Sequence, residues 1–148
     1  MPTTESVART DAGLAAELRV GVMRLRRRLA NERHPDNDLS LGQMAVLGLL
    51  LRRGDLTIGE LARLERVQPP SMTRTVTCLE DLGNVLRSPH PTDGRQVILA
   101  ATEQGRAVYA QFERVRDEWL AQALAELTPD ERGTLEAAAR ILQQVARG

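Results

Sequence analysis

The stretch that decides the fold lies between residues 56 and 83. It opens with Leu56-Thr57-Ile58-Gly59-Glu60-Leu61-Ala62 and breaks at Gln68-Pro69-Pro70. It then resumes with Ser71-Met72-Thr73-Arg74 and closes on Leu79-Glu80-Asp81-Leu82-Gly83. Thr57 and Glu60 have the spacing of a capping box, in which the hydroxyl accepts from the N–H three residues on and the carboxylate reaches back. This spacing predicts a short helix from Ile58 to Glu65 that buries Leu61, Ala62 and Leu64. A second helix follows the proline break and runs to about Leu82. Met72, Val76, Leu79 and Leu82 fall at helical spacing and read as core, and Gly83-Asn84 can supply a left-handed helix end.

Beyond Gly83 the apolar period changes from helix to strand. Val85-Leu86-Arg87 and Gln96-Val97-Ile98-Leu99 flank the polar run from Ser88 to Arg95, so a two-stranded hairpin with a protruding tip is expected. Such a hairpin is not stable alone and must lean on the helices.

Further helices surround this centre. One is expected over about residues 11–33, with Leu14, Leu18, Val22, Leu25 and Leu29 on one stripe. A loop at His34-Pro35-Asp36-Asn37-Asp38 follows, because proline disfavours a helical residue before it. Ser40 and Gln43 form a second capping box, which opens a helix from about Leu41 to Arg53 that is apolar nearly all round and therefore central. A long helix is expected from about Glu103 to Leu127. Thr128 with Glu131, and Pro129 at the first helical position, open a last helix that ends near Val145. The chain of 148 residues has no internal repeat and suits one domain, with a winged core over 40–100 and helical flanks over 11–34 and 103–146.

Composition narrows the function. Twenty basic and twenty acidic side chains cancel, and every basic residue is arginine. A neutral chain is no generic polyanion binder, so any nucleic-acid contact must come from a local basic face. The single cysteine, Cys78, excludes an intrachain disulfide, fits a reducing compartment and reads as structural. The longest apolar run, Met44 to Leu51, is far too short to span a bilayer. The opening Met1-Pro2-Thr3-Thr4-Glu5 carries no secretion signal, so a cytoplasmic location is expected. His34, His90 and Cys78 do not have metal-ligand spacing. With no nucleophile–base pair, phosphate loop or paired catalytic carboxylates, no enzyme activity, metal or cofactor is expected.

A short helix, a tight break, a second helix and a polar-tipped hairpin together make a helix-turn-helix followed by a wing. Ser71, Thr73, Arg74 and Thr77 lie near a helix start, where unpaired N–H groups and the dipole favour phosphate. Arg74 can reach a guanine edge or a phosphate, and the hydroxyls suit either.

The run Leu41 to Val108 resembles the DNA-binding core of the MarR family of winged-helix transcription regulators. The residues carrying the resemblance are 56–62, 69–74 and 79–83 as quoted above, then Pro89-His90-Pro91-Thr92-Asp93-Gly94-Arg95 and Thr102-Glu103-Gln104-Gly105, in the family's order and spacing. The resemblance implies a mainly α winged helix-turn-helix (an α+β fold) with a two-stranded wing and N- and C-terminal dimerisation helices. It also implies a homodimer on a pseudo-palindromic operator in double-stranded DNA, a repressor released by a small-molecule effector. Carried over by position, the DNA-binding candidates are Pro69, Pro70, Ser71, Thr73, Arg74 and Thr77 on the recognition helix. In the wing they are His90, Asp93 and Arg95, with Arg95 in the minor groove, Asp93 holding Arg95 or the tip backbone, and His90 a backbone-phosphate contact or plain loop. Three positions depart from the family pattern. Gly94 stands where a second arginine is frequent, Asn84 where an apolar or aromatic residue follows the glycine, and Ala101 where leucine precedes Thr102. The rival reading is a dimeric winged-helix module that binds another protein instead of DNA.

Overall fold

The computed structural model describes residues 10–147. Among the described residues six helices and three strands follow in order: α1 (Asp11–Asn31), α2 (Leu41–Arg53), β1 (Leu56–Thr57), α3 (Ile58–Glu65), α4 (Pro69–Asp81), β2 (Val85–Pro89), β3 (Val97–Ala101), α5 (Glu103–Ala125) and α6 (Pro129–Val145). The opening residues read above for a secretion signal lie outside the described part. No described helix is long and apolar enough to cross a membrane.

The helix boundaries follow the local signals. All three capping boxes are formed, at Ser40–Gln43, Thr57–Glu60 and Thr128–Glu131. The Thr57 backbone N–H, then its hydroxyl, hold the Glu60 carboxyl below the usual carboxylate range, and Thr128 does the same for Glu131. A depressed carboxyl of this kind helps the fold above its unfolded pKa, and that help disappears as pH falls through the lower folded value. Gly54 and Gly83 take positive φ, 86° and 76°, where helices end.

The chain divides into two compact units. One holds Arg33–Val115; the other holds the residues before Arg33 and after Val115. The core of the Arg33–Val115 unit is aliphatic: Met44, Val46, Leu47, Leu49 and Leu50 of α2, Leu61 and Ala62 of α3, and Met72, Val76 and Leu79 of α4, closed by Leu39, Val85 and Leu99. Tyr109 and Phe112, whose ring centroids are 5.7 Å apart, pack against it. Leu82 departs from the expected core stripe. It caps α4 and is 49% exposed, because the helix has turned its apolar face away by the last residue.

The expected hairpin is present. β2 pairs antiparallel with β3 from Val85↔Ala101 to Pro89↔Val97. The sheet gains a third strand beyond the two expected, since β1 pairs with β3 at Leu56↔Leu99 and Thr57↔Ile98. That pairing satisfies the edge of β3 and fixes the wing to the start of α3, as a lone two-stranded ribbon would need. Glu80 of α4 and Arg87 of β2 form an ion pair at 3.1 Å that also joins helix to wing.

The break between α3 and α4 turns on Arg66, which adopts φ 54°, ψ 43° and donates its N–H to the last turn of α3. A side chain in this left-handed region costs about 1–2 kcal/mol, whereas glycine there loses about 0.5–1 kcal/mol of unfolded-state entropy. Arg66→Gly should therefore raise the unfolding free energy by about 0.5 kcal/mol. Arg66→Val should lower it by about 1 kcal/mol or more. Urea melts of the two variants check the pair.

In the other unit, α1 buries only Gly13 and α6 buries no residue. Leu14, Leu18, Val22 and Leu25 of α1 and Leu135, Ile141, Leu142 and Val145 of α6 are exposed, Val145 at 72%. The Arg28 guanidinium lies 4.5 Å from the centroid of the Trp119 ring and pairs with Glu32, so one arginine of the basic run on α1 is committed internally.

Candidate nucleic-acid interface

Helix α4 divides its residues cleanly between two faces. Met72, Val76 and Leu79 are buried, while Pro69, Pro70, Ser71, Thr73, Arg74 and Thr77 are all exposed. At 100° per residue the buried set spans a narrow arc and the exposed set covers the opposite side. Helix α4 is thus held by its apolar stripe against α2 and α3 and presents its polar stripe outward.

The hydroxyls on that stripe are partly used. Thr73 donates to the Pro69 carbonyl at 3.0 Å and Thr77 donates to the Thr73 carbonyl at 2.9 Å; half-buried Thr75 donates to Ser71 in the same way. With its proton spent on the helix, each hydroxyl oxygen still accepts. Thr73 and Thr77 are therefore suited to amino groups on base edges, which donate, rather than to phosphate oxygens, which do not.

The helix start differs from the expectation of free N–H groups. Pro69 and Pro70 have no N–H, and the Ser71 N–H donates to the Gln68 carbonyl at 3.0 Å. Backbone donors at the head of α4 are therefore consumed or missing. Anion attraction there rests on the dipole and on side chains.

Arg74 is exposed and makes no hydrogen bond or ion pair among the described residues. The Arg95 guanidinium is likewise exposed and unpartnered, and the surface ion pair with Asp93 that its spacing allowed is not formed. Asp93 holds the tip backbone instead. Its Oδ1 accepts from the Arg95 N–H at 3.1 Å and its Oδ2 accepts from Gln96 Nε2 at 3.1 Å.

His90 sits inside the turn rather than at its outer surface. Its N–H donates to the Gln96 carbonyl at 3.1 Å, and its Nδ1 accepts from the Thr92 N–H at 3.2 Å and the Asp93 N–H at 3.1 Å. Gln96 and Glu60, whose carboxylate feels the His90 charge, are participants that the sequence reading did not single out. Gln96 could have been found from its place at the start of the second strand; the approach of Glu60 depends on tertiary packing and has no local signal.

Asn84, at the base of the wing, is buried and its Oδ1 has no hydrogen-bond partner among the described residues, although its backbone is fully engaged with Leu79 and Thr102. Cys78 is half-buried, with Gln43 Nε2 donating to its sulfur at 3.0 Å. Among the described residues no cluster of three His, Cys, Asp or Glu side chains could hold a metal ion.

The family model described as MarR family matches residues 39–97, the segment that contains α2, α3, α4, β2 and the wing tip and ends where β3 begins. A protein named as the uncharacterized HTH-type transcriptional regulator Mb0904 of Mycobacterium bovis is 46% identical over 133 residues, covering 90% of this chain and 92% of that one. The chain belongs to the MarR family. The HTH-type transcriptional repressor Rv2887 of Mycobacterium tuberculosis is 35% identical over 95 residues, covering 64% of this chain and 68% of that one. The solved structure of wild-type MarR in its apo form from E. coli is similar at a TM-score of 0.71 and 30% identity, covering 86% of this chain and 95% of that one. As a MarR-family member the protein is a DNA-binding transcription regulator of helix-turn-helix type and not an enzyme.

Proposed function

We propose that the protein works in the cytoplasm as a homodimeric repressor, each copy reading one half of a pseudo-palindromic operator and releasing it when a small molecule binds. The observation that carries this reading is the polar face of α4. Ser71, Thr73, Arg74 and Thr77 are exposed together, directly opposite a fully buried stripe, with Arg74 free of any internal partner among the described residues. A second guanidinium without an internal partner among the described residues, Arg95, stands on the wing. One arginine would enter the major groove and read a guanine edge. The other would enter the adjacent minor groove, where a narrow width concentrates negative potential.

The exposed apolar residues of α1 and α6 support the dimer. Leu14, Leu18, Val22, Ile141, Leu142 and Val145 would cost too much left in water, and a second copy of the same helices is a self-complementary cover. The name of the relative Rv2887 supports repression. For the effector, the Arg33–Val115 unit offers a cavity of about 190 Å³ lined by residues that include Asp38, Leu39, Leu82, Asn84, Gln104 and Val108. It touches the C-terminal end of α4, so a ligand there could shift the reading helix.

A salt titration tests the DNA reading. If each half-site neutralises about four phosphates, log affinity should fall against log salt with a slope of about −7, at roughly 0.9 per phosphate. A slope near zero removes the DNA role and leaves the protein-binding alternative. Sedimentation at working concentration tests the dimer, which a lone subunit would exclude.

A further inference from the structure

Two backbone N–H groups, of Thr92 and Asp93, converge on the Nδ1 of His90 at 3.2 and 3.1 Å, and the Thr92 hydroxyl lies 3.4 Å from the same nitrogen. A nitrogen that accepts from two N–H donors must carry a lone pair, so this turn requires neutral imidazole with its proton on Nε2. The turn in turn places Asp93, whose carboxylate grips the Arg95 N–H and the Gln96 side chain. His90 therefore stands first in a chain of contacts that ends at the wing arginine.

We propose that His90 is a positioning residue for Arg95 and makes the wing sensitive to pH. Protonation at Nδ1 turns the acceptor into a donor aimed at two donors. The turn at Thr92 and Asp93 opens, and the Asp93 carboxylate no longer orients the Arg95 backbone. The charged groups around the ring set the balance. Glu60 at the head of α3 favours the imidazolium, but its carboxylate is already hydrogen-bonded by the Thr57 N–H and hydroxyl. The charged residues on its own loop are Asp93 and Arg95.

The sign follows from linkage. The ordered tip binds fewer protons at His90 than the open tip, so acid disfavours order, and the limit is one decade of affinity per pH unit for each wing. DNA affinity should fall as pH drops and His90 gains a proton. Had His90 met a phosphate, its imidazolium would add attraction and affinity would rise with acid. The two roles give opposite slopes.

The proposal rests on the DNA-binding reading for its affinity readout but not for its geometry, so two measurements on the full chain separate them. The first follows the amide signals of Thr92 and Asp93 by NMR without DNA. The second follows anisotropy of a labelled duplex selected by the wild-type protein from a random-sequence pool, at constant ionic strength. From about pH 7.5 to about pH 5.5 the wild type should lose about tenfold in affinity while both amides shift together. His90→Asn supplies a neutral acceptor that does not titrate and should bind with affinity independent of pH. His90→Leu should bind weakly at every pH. His34→Gln, which alters the other histidine, should keep the wild-type profile.

An affinity that rises or stays flat with acid, or a loss that persists in His90→Asn, overturns the proposal. If no duplex binds at any pH, the DNA reading has failed, and the amides alone decide the His90 turn. Amides that do not titrate overturn it as well.

Discussion

Gly105→Ala is expected to cost about 3 kcal/mol of unfolding free energy. Gly105 is a buried residue in the first turn of α5, and a Cβ there would stand 2.2 Å from the Asn84 carbonyl oxygen, 3.1 Å from the Asn84 carbonyl carbon and 3.2 Å from Leu47 Cδ2. The nearest atom is backbone, so no rotamer change relieves the clash. That carbonyl also cannot move freely, because it accepts the Thr102 N–H at 3.1 Å while the Thr102 hydroxyl donates to the Gly83 carbonyl at 2.6 Å and accepts the Gly105 N–H at 3.0 Å. Helix propensity pulls the other way, favouring alanine by about 1 kcal/mol, but overpacking against a tied backbone is the larger effect. Gly133, inside α6 with nothing within 4 Å of a built Cβ, isolates the propensity alone. Gly133→Ala should gain about 0.5–1 kcal/mol. Chemical denaturation at matched protein concentration reads both. A Gly105→Ala variant as stable as the wild type would show that the base of the wing does not seat on α5 as described.

How much of this could be read in advance depended on whether the signal was local. Helices α2, α3 and α6 begin where their caps place them, because a hydroxyl and a carboxylate or side-chain amide three residues apart satisfy N–H groups within one turn. Helix α1 ends at Asn31, a little short of the expected 33, and α5 at Ala125, short of Leu127. Neither end has a glycine to mark it. Strand β1 went unread for a related reason. Two residues show no alternation, and Leu56 and Thr57 already looked like the approach to a helix; only their partners Leu99 and Ile98, more than forty positions away, make them a strand.

The candidate site divides along the same line. Which residues of α4 face outward follows from helical period, and all six candidates there are exposed. What those side chains do with their protons does not follow from period. The back-bonding of Thr73 and Thr77, the spent Ser71 N–H and the inward turn of His90 Nδ1 are each set by three-dimensional contacts over a few residues that spacing alone leaves open. The Tyr109 hydroxyl is another case. It accepts from Arg52 at 3.1 Å, and Gly48 leaves the room for it, since a Cβ there would lie 2.7 Å from that oxygen.

The two exposed arginines should separate by the kind of loss they produce. Arg74→Ala removes a fork that has no internal partner among the described residues, so truncation costs little within the fold and the change appears almost wholly in DNA binding. If it grips a guanine edge, each half-site loses about 1–3 kcal/mol and preference relaxes at one base position. In the proposed dimer both half-sites carry the substitution, so an operator complex should weaken by about 2–6 kcal/mol in total, as far as the two contacts add. Arg95→Ala should also cost about 1–3 kcal/mol per wing, yet weaken all duplexes more evenly, because a minor-groove guanidinium reads width rather than base identity. Arg95→Lys is the sharper probe. It keeps the charge but brings a strongly hydrated ammonium that enters a narrow groove less readily, and recovers only part of the loss. With Gly94 beside it, Arg95 has no arginine at the adjacent position to compensate. Sedimentation should show the same oligomeric state for all three variants, since neither residue belongs to the terminal helices. Equal and sequence-independent losses from Arg74→Ala and Arg95→Ala would reassign Arg74 to a phosphate, and an unchanged affinity for Arg95→Ala would remove the wing from the DNA contact altogether.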